Sequence, residues 1–284
     1  MKFGASTFIW VSPFSNKTLD LIGKVKDLGF DLIEICIEDP ATIDTAAIGK
    51  RLAKEGMGAT VCGAFGPDRD LSSDDPSICE KGVAYVKRCA DIAHELGADI
   101  VVGPMYSAVG KTRMLSPEER KAQRALAAAN IRLAADHAAK RGVRLAIEPL
   151  NRFETDMINT VEQGMALIDE IGRSNVGLLV DTFHMNIEEK NIPAALRKAG
   201  KHIFEFHACS SDRGTPGEDH LPWPEIAKAL GEAGYDGAVV IEAFTPEIKE
   251  IARAVSIWRQ LAKSQDALAG DGLRHLKSVF AKAA

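Results

Sequence analysis

Four apolar runs in the second half of the chain each end on a side chain that can bind a metal ion or move a proton. Leu145-Ala146-Ile147 runs into Glu148, Gly177-Leu178-Leu179-Val180 into Asp181, Ile203-Phe204-Glu205-Phe206 into His207, and Val239-Val240-Ile241 into Glu242. Taken singly, a carboxylate after a strand is more often a helix cap or an ion-pair partner, and a lone His a hydrogen-bonded structural residue. Four in succession at one depth are hard to assign to caps. One imidazole with three carboxylates is a hard, oxygen-rich donor set, which suits Mn2+ or Mg2+, and also Co2+, better than a thiolate-rich zinc site would. Just beyond these positions lie Glu154, His184 and Arg213, which have the chemistry to hold a polyhydroxylated ligand in one register. The plainer alternative makes Arg152 and Glu154 a loop ion pair and Arg213 a surface residue.

Positioning such a set requires strands that deliver their ends to one mouth. Short apolar, β-rich runs recur at Phe3–Phe8, Leu32–Ile37, Ala59–Ala64, Ile100–Gly103, Arg144–Glu148, Val176–Asp181, Ile203–His207 and Ala238–Glu242. Amphipathic stretches separate them, among them Leu19–Leu28, Gly82–Leu96, Pro117–Arg141, Val161–Ile171, Ile192–Ala199 and Pro224–Ala233. Alternation of this kind builds parallel βαβ units, and eight of them predict an α/β fold of the closed (β/α)8 type, a TIM barrel. Ser116-Pro117-Glu118-Glu119 reads as a capping box with Pro at N1, and Thr245-Pro246-Glu247 as a similar start to the helix after the last strand. Gly29, Gly97, Gly142 and Gly234 fall where helices should stop. Leu273, Leu276 and Phe280 have helical spacing and predict an extra C-terminal helix, packed on the barrel or on a neighbouring subunit. No Pro-, Gly- or Ser-rich linker divides the chain, so 1–284 reads as a single domain. Trp10, Trp223 and Trp258 read as core or interface residues, with Trp10 also placed to line a pocket after the first strand.

Composition narrows the function. The 284 residues carry 35 Lys plus Arg against 40 Asp plus Glu, a formal net charge of −5, and lack the basic footprint of a nucleic-acid binder. The five cysteines form no CxxC pair and read as reduced thiols of a cytoplasmic protein. The first ten residues do not resemble a secretion signal, and no apolar run is long enough for a membrane span. Gly110-Lys111-Thr112 imitates the end of a phosphate-binding loop, but the glycine that motif needs at position 105 is Met105.

The segments IEPLNRFE, VDTFHMNIEE, the His207 strand followed by DRGTPG, and IEAF resemble those of the ketose 3-epimerases, which comprise the D-tagatose, D-allulose (D-psicose) and L-ribulose 3-epimerases among the xylose-isomerase-like barrels. GPDRDLSS and GPMYSAVGK extend the resemblance over most of the chain, with DTFHMNIEE and NRFE its most specific parts. The stretch HACSSDRG departs from a more polar pattern after the seventh strand, and the N-terminal ASTFIWVS is individual. The resemblance implies a Mn2+ or Co2+ site built from Glu148, Asp181, His207 and Glu242, with Glu148 and Glu242 as the acid/base pair. It also implies that Glu154, His184 and Arg213 hold the O1–O3 end of a small-molecule ketose, and that the enzyme is a homodimer or homotetramer.

Such chemistry would invert C3 by removing a proton on one face, passing through a cis-enediolate, and returning a proton to the other face, with a divalent cation as Lewis acid. Rival readings keep the barrel and change the reaction: an aldose–ketose or hydroxypyruvate-type isomerase, or a sugar-phosphate 3-epimerase with a phosphate seat in the DRGTPG loop. A metal-dependent DNA-repair endonuclease would need a basic groove, which the charge balance opposes. A non-catalytic sugar-binding protein would have little use for two apposed carboxylates.

Overall fold

A computed structural model describes residues 1–283. Its strands β1 (Lys2–Ser6), β2 (Leu32–Ile37), β3 (Gly58–Gly63), β4 (Ile100–Gly103), β5 (Arg144–Ile147), β6 (Val176–Asp181), β7 (Ile203–His207) and β8 (Ala238–Ile241) are parallel and pair in sequence order. β8 returns to β1 through the register Phe3↔Val239 and Ala5↔Ile241, so the sheet closes and has no free edge. All-parallel strands are covered on both faces, which is why β2 and β6 are buried at every residue and read as mostly apolar runs, broken only by Glu34 and the terminal Asp181. The predicted TIM barrel is therefore present, with helices on its outside.

Those helices are α1 (Asp20–Asp27), α2 (Thr45–Glu55), α3 (Pro76–Glu95), α4 (Pro117–Lys140), α5 (Val161–Ile171), α6 (Thr182–Glu188), α7 (Ile192–Ala199), α8 (Trp223–Glu232), α9 (Lys249–Ala254) and α10 (Gln265–Ala283). The expected signals operate at several ends. Ser116 Oγ accepts the N–H of Glu119, whose carboxylate accepts that of Ser116, and both orphan donors at the start of α4 are satisfied. Gly29, Gly97, Gly142 and Gly234 all take positive φ, from 69° to 94°, where chain direction changes after a helix.

Other boundaries differ from the sequence reading for local reasons. β1 stops at Ser6, whose Oγ accepts the N–H of Phe8 and opens a 3-10 turn at Thr7–Ile9. α2 carries only Ile48 and Leu52 on its buried face, too thin a stripe to stand out in the sequence, and is bounded by the Asp44 cap and left-handed Gly56. α3 starts at Pro76 behind an Asp75 cap, ahead of Gly82. Thr245 Oγ1 accepts the N–H of Glu247, yet the chain does not turn helical until Lys249 and stays so for six residues. The C-terminal helix α10 buries Leu273, Leu276 and Phe280 as expected, starting further upstream. It packs on α8, sets Phe280 edge-on to Phe3 and sends Lys277 Nζ to the Gly29 carbonyl, covering the seam where β8 meets β1. Trp223 is buried, Trp10 gives its indole N–H to Asp266, and Trp258 is 74% exposed and outside the core. No helix among the described residues is long and apolar enough to cross a membrane.

Candidate active site

β5 and β8 each stop one residue before Glu148 and Glu242, while Asp181 and His207 are the last residues of β6 and β7, paired across the sheet. All four side chains are buried at the C-terminal mouth, between 0% and 6% exposed. Asp181 is a cap and more: Oδ1 accepts the N–H of Phe183 at 2.7 Å and starts α6, leaving Oδ2 free to face its neighbours. The tops of β6 and β7 are tied by Thr182 Oγ1, which accepts the Cys209 N–H at 2.8 Å.

His207 is aimed by a residue on the far side of the barrel. Its Nε2 donates to Glu34 Oε2 at 3.0 Å, and both residues are fully buried. This leaves Nδ1 pointing at Asp181 Oδ2 (3.8 Å) and Glu242 Oε2 (3.6 Å), without a hydrogen-bond partner. A buried nitrogen lone pair facing two carboxylates is unfavourable unless a proton or a cation stands between them, so the donor set fits a divalent ion. Ligand atoms of Asp181, His207, Glu242 and Cys209 lie within 4.8 Å of one another. Glu148 groups instead with Asp181 and His184, so Asp181 is the member common to both clusters.

Arg213 is 5% exposed, which removes the surface alternative. Its Nη1 donates to Asp181 Oδ2 at 2.8 Å and Glu242 Oε2 at 2.9 Å, and its guanidinium lies over the rings of Phe183 and Phe244. Its backbone is left-handed, φ 66°, in a turn fixed by Asp212 Oδ1, which accepts from Ser210 Oγ and the Gly214 N–H. His184 Nδ1 accepts from the backbone N–H of Asn151 and lies 2.9 Å from its side-chain amide, while Nε2 stands 3.1 Å from Arg213 Nη2 and 3.5 Å from Glu148 Oε1. Glu154 Oε1 accepts from the same Asn151 amide at 2.8 Å. Arg152 pairs with Glu188 instead, which dissolves the Arg152–Glu154 alternative.

The carboxyl groups divide by charge state. Burial, reinforced by the charges of Glu242 and Asp181, pushes Glu148 well above the ordinary glutamate range. Burial also pushes Glu242 and Asp181 up, but the Arg213 cation with nearby histidines outweighs it and holds both below the ordinary values. His184 is held down by burial and therefore neutral. For His207 burial acts downward, and the Glu34 and Glu242 carboxylates overcome it and raise the imidazole well above its usual value.

A cavity of about 630 Å³ opens over these groups, with Glu148, Glu154, His184, Arg213 and Glu242 in its wall. Its remaining surface is largely apolar, from Phe8, Phe65, Phe153, Ile187, Phe244 and Val255 among others. Trp10 is not part of that wall. Sequence reasoning missed Glu34, Asn151 and Cys209. Glu34 had a signal, being a charged residue in the middle of the apolar strand LIEICI. Phe8 and Phe244 had a weaker one, as aromatics just past the ends of β1 and β8. Lys111 of the failed phosphate-loop match is spent on Asp70, 2.6 Å away.

Comparison with known proteins agrees in fold and extent. The xylose isomerase-like TIM barrel family profile matches residues 22–279. A Synechocystis protein named "Probable ketose 3-epimerase" is 36% identical over 99% of this chain and 97% of its own length. The D-psicose 3-epimerase of Agrobacterium fabrum is 34% identical over 94% of this chain and 93% of its own. Among solved structures, a Methylomonas D-allulose 3-epimerase in complex with D-allulose superposes with a TM-score of 0.92 at 31% identity, covering 98% of this chain and 96% of that one.

Proposed function

The chain belongs to the xylose isomerase-like TIM barrel family and, within it, to the ketose 3-epimerases, isomerase-class enzymes; from that premise we propose that it inverts C3 of a free ketose with the help of a divalent metal ion. The substrates are of the D-fructose/D-allulose, D-tagatose/D-sorbose or L-ribulose kind. The observation that carries this reading is a pair of buried carboxyl groups, Glu148 and Glu242, at the two ends of a four-strand arc around one cavity.

A sugar lying between them presents one face to each. The ionised carboxylate takes the C3 proton, leaving a cis-enediolate, and the protonated one returns a proton from the other side; reversing the roles runs the reaction backward. Glu148, Asp181, His207 and Glu242 would hold the ion (Mn2+, or Co2+ or Mg2+), which supplies Lewis acidity for the negative charge that develops on the substrate oxygens. Arg213, His184 and Glu154 orient the O1–O3 end by hydrogen bonds. The apolar wall keeps water from reprotonating the intermediate at random. Arg213 is the one cationic side chain in that wall, and it is already engaged by two carboxylates, which favours a free sugar over a sugar phosphate. In this reading residues 1–284 act as one catalytic domain, in a cytoplasmic homodimer or homotetramer.

The test is incubation of manganese-loaded protein with D-fructose, D-tagatose, L-ribulose and ribulose 5-phosphate in D2O. Deuterium at C3 of a free-ketose product supports the reading, and label confined to C1 or C2 replaces it with an aldose–ketose isomerase. Glu148→Gln and Glu242→Gln should each abolish turnover, and wild-type-like activity in either removes that residue from the proton-transfer pair.

A further inference from the structure

Beneath the cavity, on the opposite side of His207 from the groups above, two thiols face each other. Cys36 of β2 and Cys62 of β3 are register partners on neighbouring parallel strands, so their side chains leave the same face of the sheet. Two residues earlier on β2, Glu34 points the same way. The two Sγ atoms and a Glu34 carboxylate oxygen all lie within 4.8 Å of one another. Cys36 is 1% exposed, and Cys62, at 5%, forms part of the cavity wall and gives this cluster an entrance. Glu34 spends Oε2 on His207, while its Oε1 is buried with no partner at all.

A buried cysteine is ordinarily apolar filling, and Cys79 and Cys89 join no cluster of possible ligands, while Cys209 belongs with Asp181, His207 and Glu242. What sets Cys36 and Cys62 apart is convergence: two sulfurs and a carboxylate oxygen of Glu34 lie within 4.8 Å of one another, with Cys62 in the cavity wall. A hydrogen bond with Cys36, together with burial and the Glu34 charge, pushes the Cys62 thiol well up, so it is neither a nucleophile nor an easily oxidised thiolate at neutral pH. Soft cations are the ligands that overcome this, since they replace thiol protons by strong metal–sulfur bonds.

We propose that Cys36, Cys62 and Glu34 form a second cation site, selective for thiophilic divalent ions such as cadmium and distinct from the oxygen-rich site at Asp181, His207 and Glu242. Binding forms two metal–sulfur bonds and one metal–oxygen bond to the Glu34 carboxylate. Two thiol protons leave to the buffer, and no electrons move. Because Glu34 also orients His207, a cation seated there sits one residue away from the site above it and slows turnover.

The test titrates cadmium into manganese-saturated full-length protein and follows the thiolate-to-cadmium charge-transfer absorption in the ultraviolet. We expect one equivalent of cadmium to saturate a band that Cys36→Ser and Cys62→Ser each abolish and Cys209→Ser leaves in place. A band that survives both of the first two substitutions, or disappears with Cys209→Ser, overturns the proposal. Should the serine variants fail to fold, anomalous scattering from wild-type crystals soaked in cadmium decides. A peak within bonding distance of both Sγ atoms upholds the site, and its absence there at saturation of the band refutes it. None of these readouts depends on ketose turnover, so they stand or fall separately from the epimerase reading.

Discussion

Replacing Arg213 with methionine isolates the role of charge at the mouth of the barrel. Methionine keeps an apolar stem of similar shape beside Phe183 and Phe244 but removes the guanidinium that lies over both rings and bridges Asp181 and Glu242 at 2.8 and 2.9 Å. Arg213 is 5% exposed, so its loss leaves two buried carboxylates without their counter-charge. Breaking one side of a buried ionic cluster costs about 3–5 kcal/mol. At about 2 °C per kcal/mol for a chain of this length, metal-free Arg213→Met should melt about 6–10 °C below the metal-free wild type. Saturating manganese restores positive charge between the same carboxylates, so the gap between the two proteins should shrink to less than half. Differential scanning calorimetry with EDTA and with manganese makes the comparison. An equal drop under both conditions would show that Arg213 and the ion do not answer to the same carboxylates, and the electrostatic account of the site would fail.

Glu34→Gln should weaken manganese binding about ten- to a hundredfold, because the partner that turns Nδ1 of His207 toward the cluster is altered; calorimetric titration reads this directly. Manganese affinity of the wild type should fall as pH falls, by about tenfold per pH unit while one proton is displaced. The sign follows from His207, whose raised pKa means that the metal-free imidazole holds a proton which the ion must expel, and an affinity independent of pH across the neutral range would contradict it. Two glycine substitutions should act in opposite directions. Gly49→Ala in α2 meets nothing within 4 Å and should stabilise by about 0.4–1 kcal/mol, whereas Gly82→Ala in α3 brings a Cβ to 2.7 Å from the Arg69 carbonyl oxygen and should destabilise by about 1–2 kcal/mol net. Chemical denaturation separates them, and a stabilised Gly82→Ala would mean that the turn beside α3 yields.

The barrel was legible because its logic repeats. Each unit needs an apolar run, a polar end and a helix with a stop, and Glu148, Asp181, His207 and Glu242 stand out through their common place in that repeat. Arg213, His184 and Glu154 had suitable chemistry but an ambiguous position, since nothing in a linear sequence says whether a loop arginine is folded inward. The left-handed turn at Arg213 settles that, and it depends on Asp212 and Ser210, whose hydrogen bonds carry no pattern of their own. Glu34 and the thiol pair escaped for the opposite reason. They lie in the first half of the chain, inside otherwise apolar strands; Glu34 takes its meaning from β7, which arrives much later, and the thiols from the register of β2 against β3.

The contact between Glu34 and His207 joins residues 173 positions apart. On the ribosome β2 is finished long before β7 exists, and the imidazole, once made, has no fixed heading until the early strands are there to receive it. In a nascent chain the acidic residues of the site are therefore still separate groups. They become a candidate chelating set only when the last strands close against the first, so capture of an ion there would coincide with closure of the barrel.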